Sequence, residues 1–481
     1  MKKLNNIHKI LMILAFVGMH ISCSESYINL APISDPNVAS YYKSQSDFKT
    51  AIVGVYNSWQ GVFPITWNFF LEFRSDTYDY TGTFIFDEIS NNHFQLNTTS
   101  DPWDKFYRII SYSNMILDRI DNVEFTDESS KKVIKAEARF FRGWTYFTLI
   151  RFFGAVPLIE HEISSIDAIK IGRTDVGKIF SFIEDDLKFA INNLPSNVQT
   201  TDYGRITKYA AEGILANVYI TQSGKVYNTN RWSDAKPLLE DIVNNSPYKF
   251  ANTYQEIFAR DASNEKGKEI ILSALFKAGT DGEASSYLRS FCNYYGKDTD
   301  IKIAFEKGLV ESYENGDIRR EVNISRGSYN DLEGKLKSDP TNIKFNWGFD
   351  IKSQTDGIDW PVLRYTDVYL LYAETLSEIA GSVPNESLVI LNKVRNRAGL
   401  PSLRTIDVPD LASYRMALEK ERRSELMFEC VRWFDLVRTG RAVDVLKALG
   451  KNADKNWLLF PIPQTEIDKL GSNLLPQNPG Y

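Results

Sequence analysis

Glu421, Glu425 and Glu429 recur at a spacing of four in a stretch with helical periodicity, which lines three carboxylates along one face. Paired carboxylates are the machinery of glycoside hydrolysis, one protonating the leaving oxygen while the other attacks or activates water. Like charges at that spacing also repel, so the helix needs cations against them. Arg422, Arg423 and Arg432 lie in the same stretch, and Arg364, Asp367, Glu374 and Asp435 in blocks close by. The expected arrangement is a partly buried ion-pair network that locks the C-terminal helices together, not a pair of catalytic acids.

Other chemistry finds few residues to carry it. The histidines are His8, His20, His93 and His161, with no HExxH or similar spacing, and the cysteines Cys23, Cys292 and Cys430 form no CxxC pair. No nucleophile elbow, phosphate-binding loop or dinucleotide fingerprint appears. Neither catalytic residues nor metal ligands nor a cofactor are therefore expected. Cys292 and Cys430 could pair in an oxidising compartment, although lone cysteines are more often buried small hydrophobes. A net charge of −6 without a basic stretch argues against nucleic acid as a partner. The ring content, 9 Trp, 25 Tyr and 29 Phe, is enough for an aromatic core and a surplus that could stack on a flat ligand.

The N-terminus reads as an address. Lys2, Lys3 and Lys9 precede the apolar run Ile10–Met19, which is signal-peptide length and too short to cross a bilayer. It leads into His20-Ile21-Ser22-Cys23, where a small residue before Cys resembles a bacterial lipobox, with His20 at the position the usual pattern gives to Leu. Residues 1–22 are expected to be removed, Cys23 to be lipidated, and residues 23–40 to form a tether; two or more acyl chains would anchor it stably.

The elements that must position a site are mostly helices. Lys132–Phe153 places Phe140, Trp144 and Phe147 on one stripe and stops at Gly154 before Pro157. Lys208–Thr221 alternates small and large residues at spacing four, as packed helical hairpins require. Helices return at Tyr365–Ile379 and Glu386–Arg397, and a longer one is expected from Asp410 to Val437. The tail from Leu459 to Tyr481 is too rich in proline for regular structure. Residues 41–225 and 361–481 thus form two helical regions around a loop-rich segment, 226–360. There Tyr287, Tyr294, Tyr295 and Trp347 stand without a helical period, as ligand-facing rings on loops would.

Ordered blocks across nearly the whole chain resemble the SusD/RagB family. They include AIVGVYN at 51–57, WDKFYRII at 103–110, AEARFFR at 136–142 and FGAVP at 153–157. The C-terminal blocks are LRYTDV at 363–368, LNKVRNRAG at 391–399, ERRSEL at 421–426, RWFDLVR at 432–438 and the closing QNPGY. The resemblance implies a mainly α fold, one domain of tetratricopeptide-like hairpins supporting a loop-rich ligand face. It also implies an outer-membrane lipoprotein facing the cell exterior, seated as a lid on a SusC-like TonB-dependent transporter and binding oligosaccharide or, in some members, peptide. Asp76 and Tyr78 sit where the family's chain leaves a helix for a ligand-side loop, a polar group beside a ring that suits a sugar. The ligand candidates are then Asp76, Tyr78, Tyr287, Tyr294, Tyr295 and Trp347.

Overall fold

The computed structural model describes residues 41–481 apart from 64, 81–84, 96, 199–201, 259–267, 278–300, 304–308, 326–328, 331–335, 338–340 and 346–356. Helix α1 (Gln45–Gln60) starts at a capping box in which Ser44 accepts from the Asp47 N–H and Asp47 accepts from the Ser44 N–H. Helices α2 (Ser100–Arg119) and α3 (Glu128–Phe153) follow, the latter capped by Asp127 and ended by Gly154 at φ +72°. Next come α4 (Val176–Asn193), α5 (Lys208–Ser223) and α6 (Trp232–Asn245). Asp175 and Thr207 cap α4 and α5 with side-chain oxygens, satisfying amides that the first turn leaves over. After a long interval the chain resumes with α7 (Tyr365–Ala380), α8 (Asn385–Arg397) and α9 (Leu411–Glu425).

Each helix from α2 to α8 packs on the next one in the chain, and α1 lies against α2 and α3. This ladder runs without a break from α6 to α7, although Asn245 and Tyr365 are far apart in sequence. The residues between them are therefore an insertion on a continuous helical scaffold. Its clearest ordered piece is an antiparallel ribbon. Leaving aside a short strand β1 (Tyr78–Tyr80), the ribbon is β2 (Ile270–Ala274) with β4 (Trp360–Arg364), running from Trp360 opposite Ala274 to Arg364 opposite Ile270 with register shifts between Pro361 and Arg364. Strand β1 pairs in turn with β3 (Ile301–Ile303), which ties the insertion to the N-terminal region. The fold is mainly α, a stack of helical hairpins as the periodicity implies and tetratricopeptide-like as the family resemblance implies.

Two expectations fail locally. The long helix from Asp410 to Val437 is two helices, because α9 ends at Glu425 and α10 (Arg432–Arg438) begins after a turn. Phe428 and Cys430 take left-handed φ values of 66° and 63° in that turn. The break is stabilised by partners: the Lys344 ammonium donates to the carbonyls of Glu425 (3.2 Å) and Met427 (2.8 Å), and the Cys430 N–H donates to Glu72 (2.6 Å). Cys430 is a free, buried thiol, and Cys292 lies outside the described residues. The proline-rich tail does hold a helix, Gln464–Leu470, with Pro463 at its cap position, where a missing N–H does no harm.

The core is largely ring on ring. Trp144 of α3 meets Trp59 of α1 at 5.7 Å and Trp67 at 5.4 Å, while Trp67 meets Phe434 of α10 at 6.0 Å. Phe140 and Trp144 are buried, as their stripe requires. A buried charge network then ties insertion to ladder. Arg319 contacts Asp317, Glu421 and Glu425 at 2.8, 2.6 and 3.2 Å. Arg364 reaches Glu269 (3.1 Å), Glu425 (3.3 Å) and Glu429 (2.7 Å), and Arg397 reaches Glu425 at 2.6 Å. Burial alone would raise the Glu425 pKa, but Arg397, Arg364 and Arg319 outweigh it and hold the carboxyl at about 2. The network is the expected one, but of the arginines expected beside these glutamates only Arg364 pairs with them. Arg422 pairs instead with Asp367 (2.7 Å) and Asp435 (2.8 Å), and Arg423 and Arg432 pair with Asp76.

Candidate functional site

The β2–β4 ribbon delivers two chain ends to one rim: Leu275, Phe276 and Lys277 leave β2 where Asp359 enters β4. The Phe276 N–H donates to the Asp359 carboxylate at 3.0 Å, and the Gln60 amide donates to the Leu275 carbonyl at 2.5 Å, pinning this rim to the end of α1. Gly204 closes the third side at φ +90°. A Cβ there would lie 2.2 Å from the Leu275 side chain, so only glycine lets the loop approach so closely. The three sides enclose a cleft of about 950 Å³, floored by α1 and edged by Tyr203, whose ring is 48% exposed. That volume suits a ligand of several rings.

Behind the cleft, Glu137 of α3 holds the edge in place. It accepts from the Tyr56 hydroxyl (2.8 Å) and from Arg205 (2.6 Å), while Tyr56 accepts from the Ile206 N–H (2.9 Å). Burial lifts the Glu137 carboxyl to about 7 against the pull of Arg205 and Tyr56. These groups are spent on one another, and they fix the Tyr203–Arg205 turn. Open to solvent on the described lining are Tyr203, Thr50, Val53, Asn57 and Lys277 with peptide edges, which can stack, hydrogen-bond and attract; among these described residues no nucleophile and base are in contact.

A second cavity of about 640 Å³ lies between Trp232 and helices α9 and α10. Its walls are answered charges: Arg438 with Glu374 (2.5 Å), Arg415 with Glu378 (2.5 Å) and Arg422 with Asp435 (2.8 Å). It offers a ligand few unspent groups.

The site residues expected from sequence fare unevenly. Asp76 is buried and grips Arg432 with both oxygens, at 2.9 and 3.0 Å, which holds its carboxyl down at about 2 despite burial. Tyr78 is buried too, stacked on Phe73 at 5.2 Å and accepting from Asn342 at 2.9 Å. Neither side chain is open to a ligand arriving from solvent; both fasten the C-terminal helices and the insertion to the N-terminal region. The reason is that the turn after Arg74 runs into strand β1 under the insertion and does not emerge as a surface loop. Tyr287, Tyr294, Tyr295 and Trp347 lie outside the described residues, as does Cys23. Sequence reading missed Tyr203, Arg205 and Lys277. A Tyr-Gly-Arg turn between two helices was the available signal, and it becomes informative only when the ribbon closes against it. Glu421, Glu425 and Glu429 are buried and ion-paired, so they cannot flank a scissile bond. Among the described residues no cluster of three metal-ligating side chains occurs, and no helix is long and apolar enough to cross a membrane.

Comparison with known proteins agrees with this architecture. The model of the SusD family matches residues 284–481, and a model described as starch-binding associating with outer membrane matches residues 37–220. A SusD-like protein of Formosa agariphila is 26% identical over 95% of this chain and 97% of its own length. One from Bacteroides ovatus is 25% identical over 89% and 82%. Among solved structures, a SusD homolog from Bacteroides thetaiotaomicron superposes with a TM-score of 0.79 at 23% identity, covering 92% of this chain and 98% of its own. A laminarin-binding SusD-like protein gives 0.76 at 25%, covering 92% and 100%. With the two matched segments spanning both helical regions in family order, and whole-length relatives on either comparison, the chain belongs to the SusD/RagB family, whose members are associated with the outer membrane.

Proposed function

We propose that the protein is a cell-surface lipoprotein that captures oligosaccharides and delivers them to a SusC-like TonB-dependent transporter. The observation that carries this reading is the whole-length likeness, at 25% identity, to a SusD-like protein described as laminarin-binding. An open cleft edged by an exposed ring supports it, as does the lipobox-like Ile21-Ser22-Cys23. Tyr287, Tyr294, Tyr295 and Trp347 are proposed to add stacking faces on the same insertion that forms the cleft rim. The protein binds and does not cleave, since its one dense carboxylate run is committed to structural ion pairs. A peptide-binding version of the same lid role is the alternative. Peptide readers depend on backbone hydrogen bonds along an exposed strand edge more than on open rings.

The test is a titration of the purified protein against neutral and charged polysaccharides and against mixed peptides. Saturable binding of a glycan with no release of reducing ends is the expected result. Binding of peptides alone, or turnover of any bound glycan, overturns the reading. The anchor is tested separately: Cys23→Ala should move the protein from the membrane fraction to a soluble one, and unchanged membrane residence would sink it.

A further inference from the structure

The cleft continues past α1. A smaller cavity of about 420 Å³ shares Gly54 and Asn57 with it and extends over Gly61 to Lys105, Arg108 and Tyr112. The floor between them is the solvent face of α1 from Thr50 to Gly61, about 17 Å of helix at the usual rise. The two parts make one groove with a half-open ring at either end, Tyr203 at 48% and Tyr112 at 40% exposure. At the middle of the floor, Gly54 leaves open space where a Cβ would stand.

The charges on this groove are one-sided. Lys105, Arg108, Arg205 and Lys277 line it, against the single carboxylate of Asp359. Arg205 is paired with Glu137 (2.6 Å) and Lys105 with Asp101 (3.0 Å), while Asp359 accepts from the Phe276 N–H and keeps its charge on the groove. Arg108 and Lys277 remain. Both are exposed, and among the described residues neither makes a hydrogen bond or ion pair; Asp104, one turn back on α2, is the acid nearest Arg108 in effect. In the cavity beside α9 and α10, Arg415, Arg422 and Arg438 are answered by carboxylates. Arg108 and Lys277 on the ring-flanked groove have no such direct carboxylate partner among the described residues, and negative charge brought by a ligand would complement them.

We propose that this groove selects oligosaccharides bearing carboxylate or sulfate groups, with Arg108 and Lys277 as the selecting cations and Tyr112 and Tyr203 as stacking faces. The proposal rests on the glycan-binding reading above. The rings take the apolar sugar faces in a sequence-tolerant way, and the cations discriminate by charge, attracting acidic chains and gaining nothing from neutral ones. Exposed pairs of this kind are worth a few-fold each, and salt screens them.

The experiment titrates the full-length protein with three probes of similar length: oligogalacturonate, sulfated galactan oligosaccharide and neutral laminari-oligosaccharide. At least one acidic probe should bind more tightly than the neutral one, and the preference should shrink as salt rises. Arg108→Ala and Lys277→Ala should each weaken that probe about two- to five-fold, more than they weaken the neutral probe, and leave the thermal melt unchanged. The two acidic probes separate uronate from sulfate recognition. Neutral probe bound equally well or better, or acidic affinity unmoved in both variants, overturns the charge selection while the glycan reading stands. No glycan bound by any variant, with an acidic peptide bound instead, overturns both.

Discussion

The helical ladder and the segment inserted into it between Asn245 and Tyr365 are held by different forces. The ladder is a stack of apolar stripes, and its centre is rings in contact: Trp59, Trp67 and Trp144, with Phe434 closing from α10. The insertion contributes Glu269, Asp317, Arg319, Lys344 and Arg364, each buried and each paired within or across to α8, α9 or the turn after it. Apolar packing is non-directional and tolerates change in proportion to the area lost. A buried ion network is directional, and removing one member leaves its partners charged and unpaired. A scaffold that must be robust is thus built from the first, while the second fastens a variable segment in one geometry.

The sharpest way to break that comparison is to cut each half once. Arg364→Ala takes one cation from each of Glu269, Glu425 and Glu429, leaving them Arg397, Arg319 and Lys344, and should cost up to about 3–5 kcal/mol, with protease cuts appearing first between residues 246 and 364. Trp144→Ala leaves a cavity in the ladder and should also cost about 3–5 kcal/mol, measured by denaturant unfolding, without that selective proteolysis. Acid unfolding separates the two further. Glu425 titrates at about 2 in the folded protein against 4.5 when free, so the stability it supplies is whole above about pH 4.5 and is lost as pH falls toward 2. Glu425→Gln should flatten that limb of the stability curve, whereas Trp144→Ala should lower the whole curve and keep its shape. A ladder mutant that loses the acid limb would dissolve the distinction.

The next effect is smaller and tests how the chain's end is fastened. Asn478 of the closing QNPGY donates to the carbonyls of Phe153 (3.0 Å) and Phe460 (2.7 Å) and accepts from Arg173 (2.7 Å). Tyr481 donates to the Leu459 carbonyl at 2.9 Å. The end of α3 is therefore satisfied by the last residues of the chain. Asn478→Ala should cost about 1–3 kcal/mol in a thermal or denaturant melt, because the Phe460 carbonyl loses this donor and the Phe153 carbonyl is left with Arg173.

The same contrast explains what could be read from sequence. The stripe of Phe140, Trp144 and Phe147 announces a buried helix because period and burial are the same fact, and α3, α5, α7 and α8 appear within a few residues of their expected bounds. The break between α9 and α10 was hidden, since its cause is Lys344, distant in sequence and unremarkable in type. Asp76 and Tyr78 misled for a related reason: a polar residue beside a ring describes a sugar contact and a buried pairing equally well, and only the pairing of β1 with β3 decides between them. The cleft was least legible of all. Tyr203, Lys277 and Asp359 meet only because β2 and β4 pair across some 85 residues.

The smallest expected effect on stability carries the most weight for function. Tyr203 lies on a turn already fixed by Gly204 and by the Arg205–Glu137 pair, and nearly half its ring is exposed. Tyr203→Ala should therefore change the melting free energy by no more than about 0.5 kcal/mol. If the ring faces a bound sugar, its loss removes an aromatic contact of about 0.5–1.5 kcal/mol, a few-fold to roughly tenfold in affinity. Tyr294→Ala, Tyr295→Ala and Trp347→Ala give the matching series within the insertion. Tyr203→Ala losing affinity together with any of the three would place the rim and the insertion on one ligand path. Affinity lost in those three while Tyr203→Ala binds fully would move the sugar off the α1 groove and onto the insertion alone.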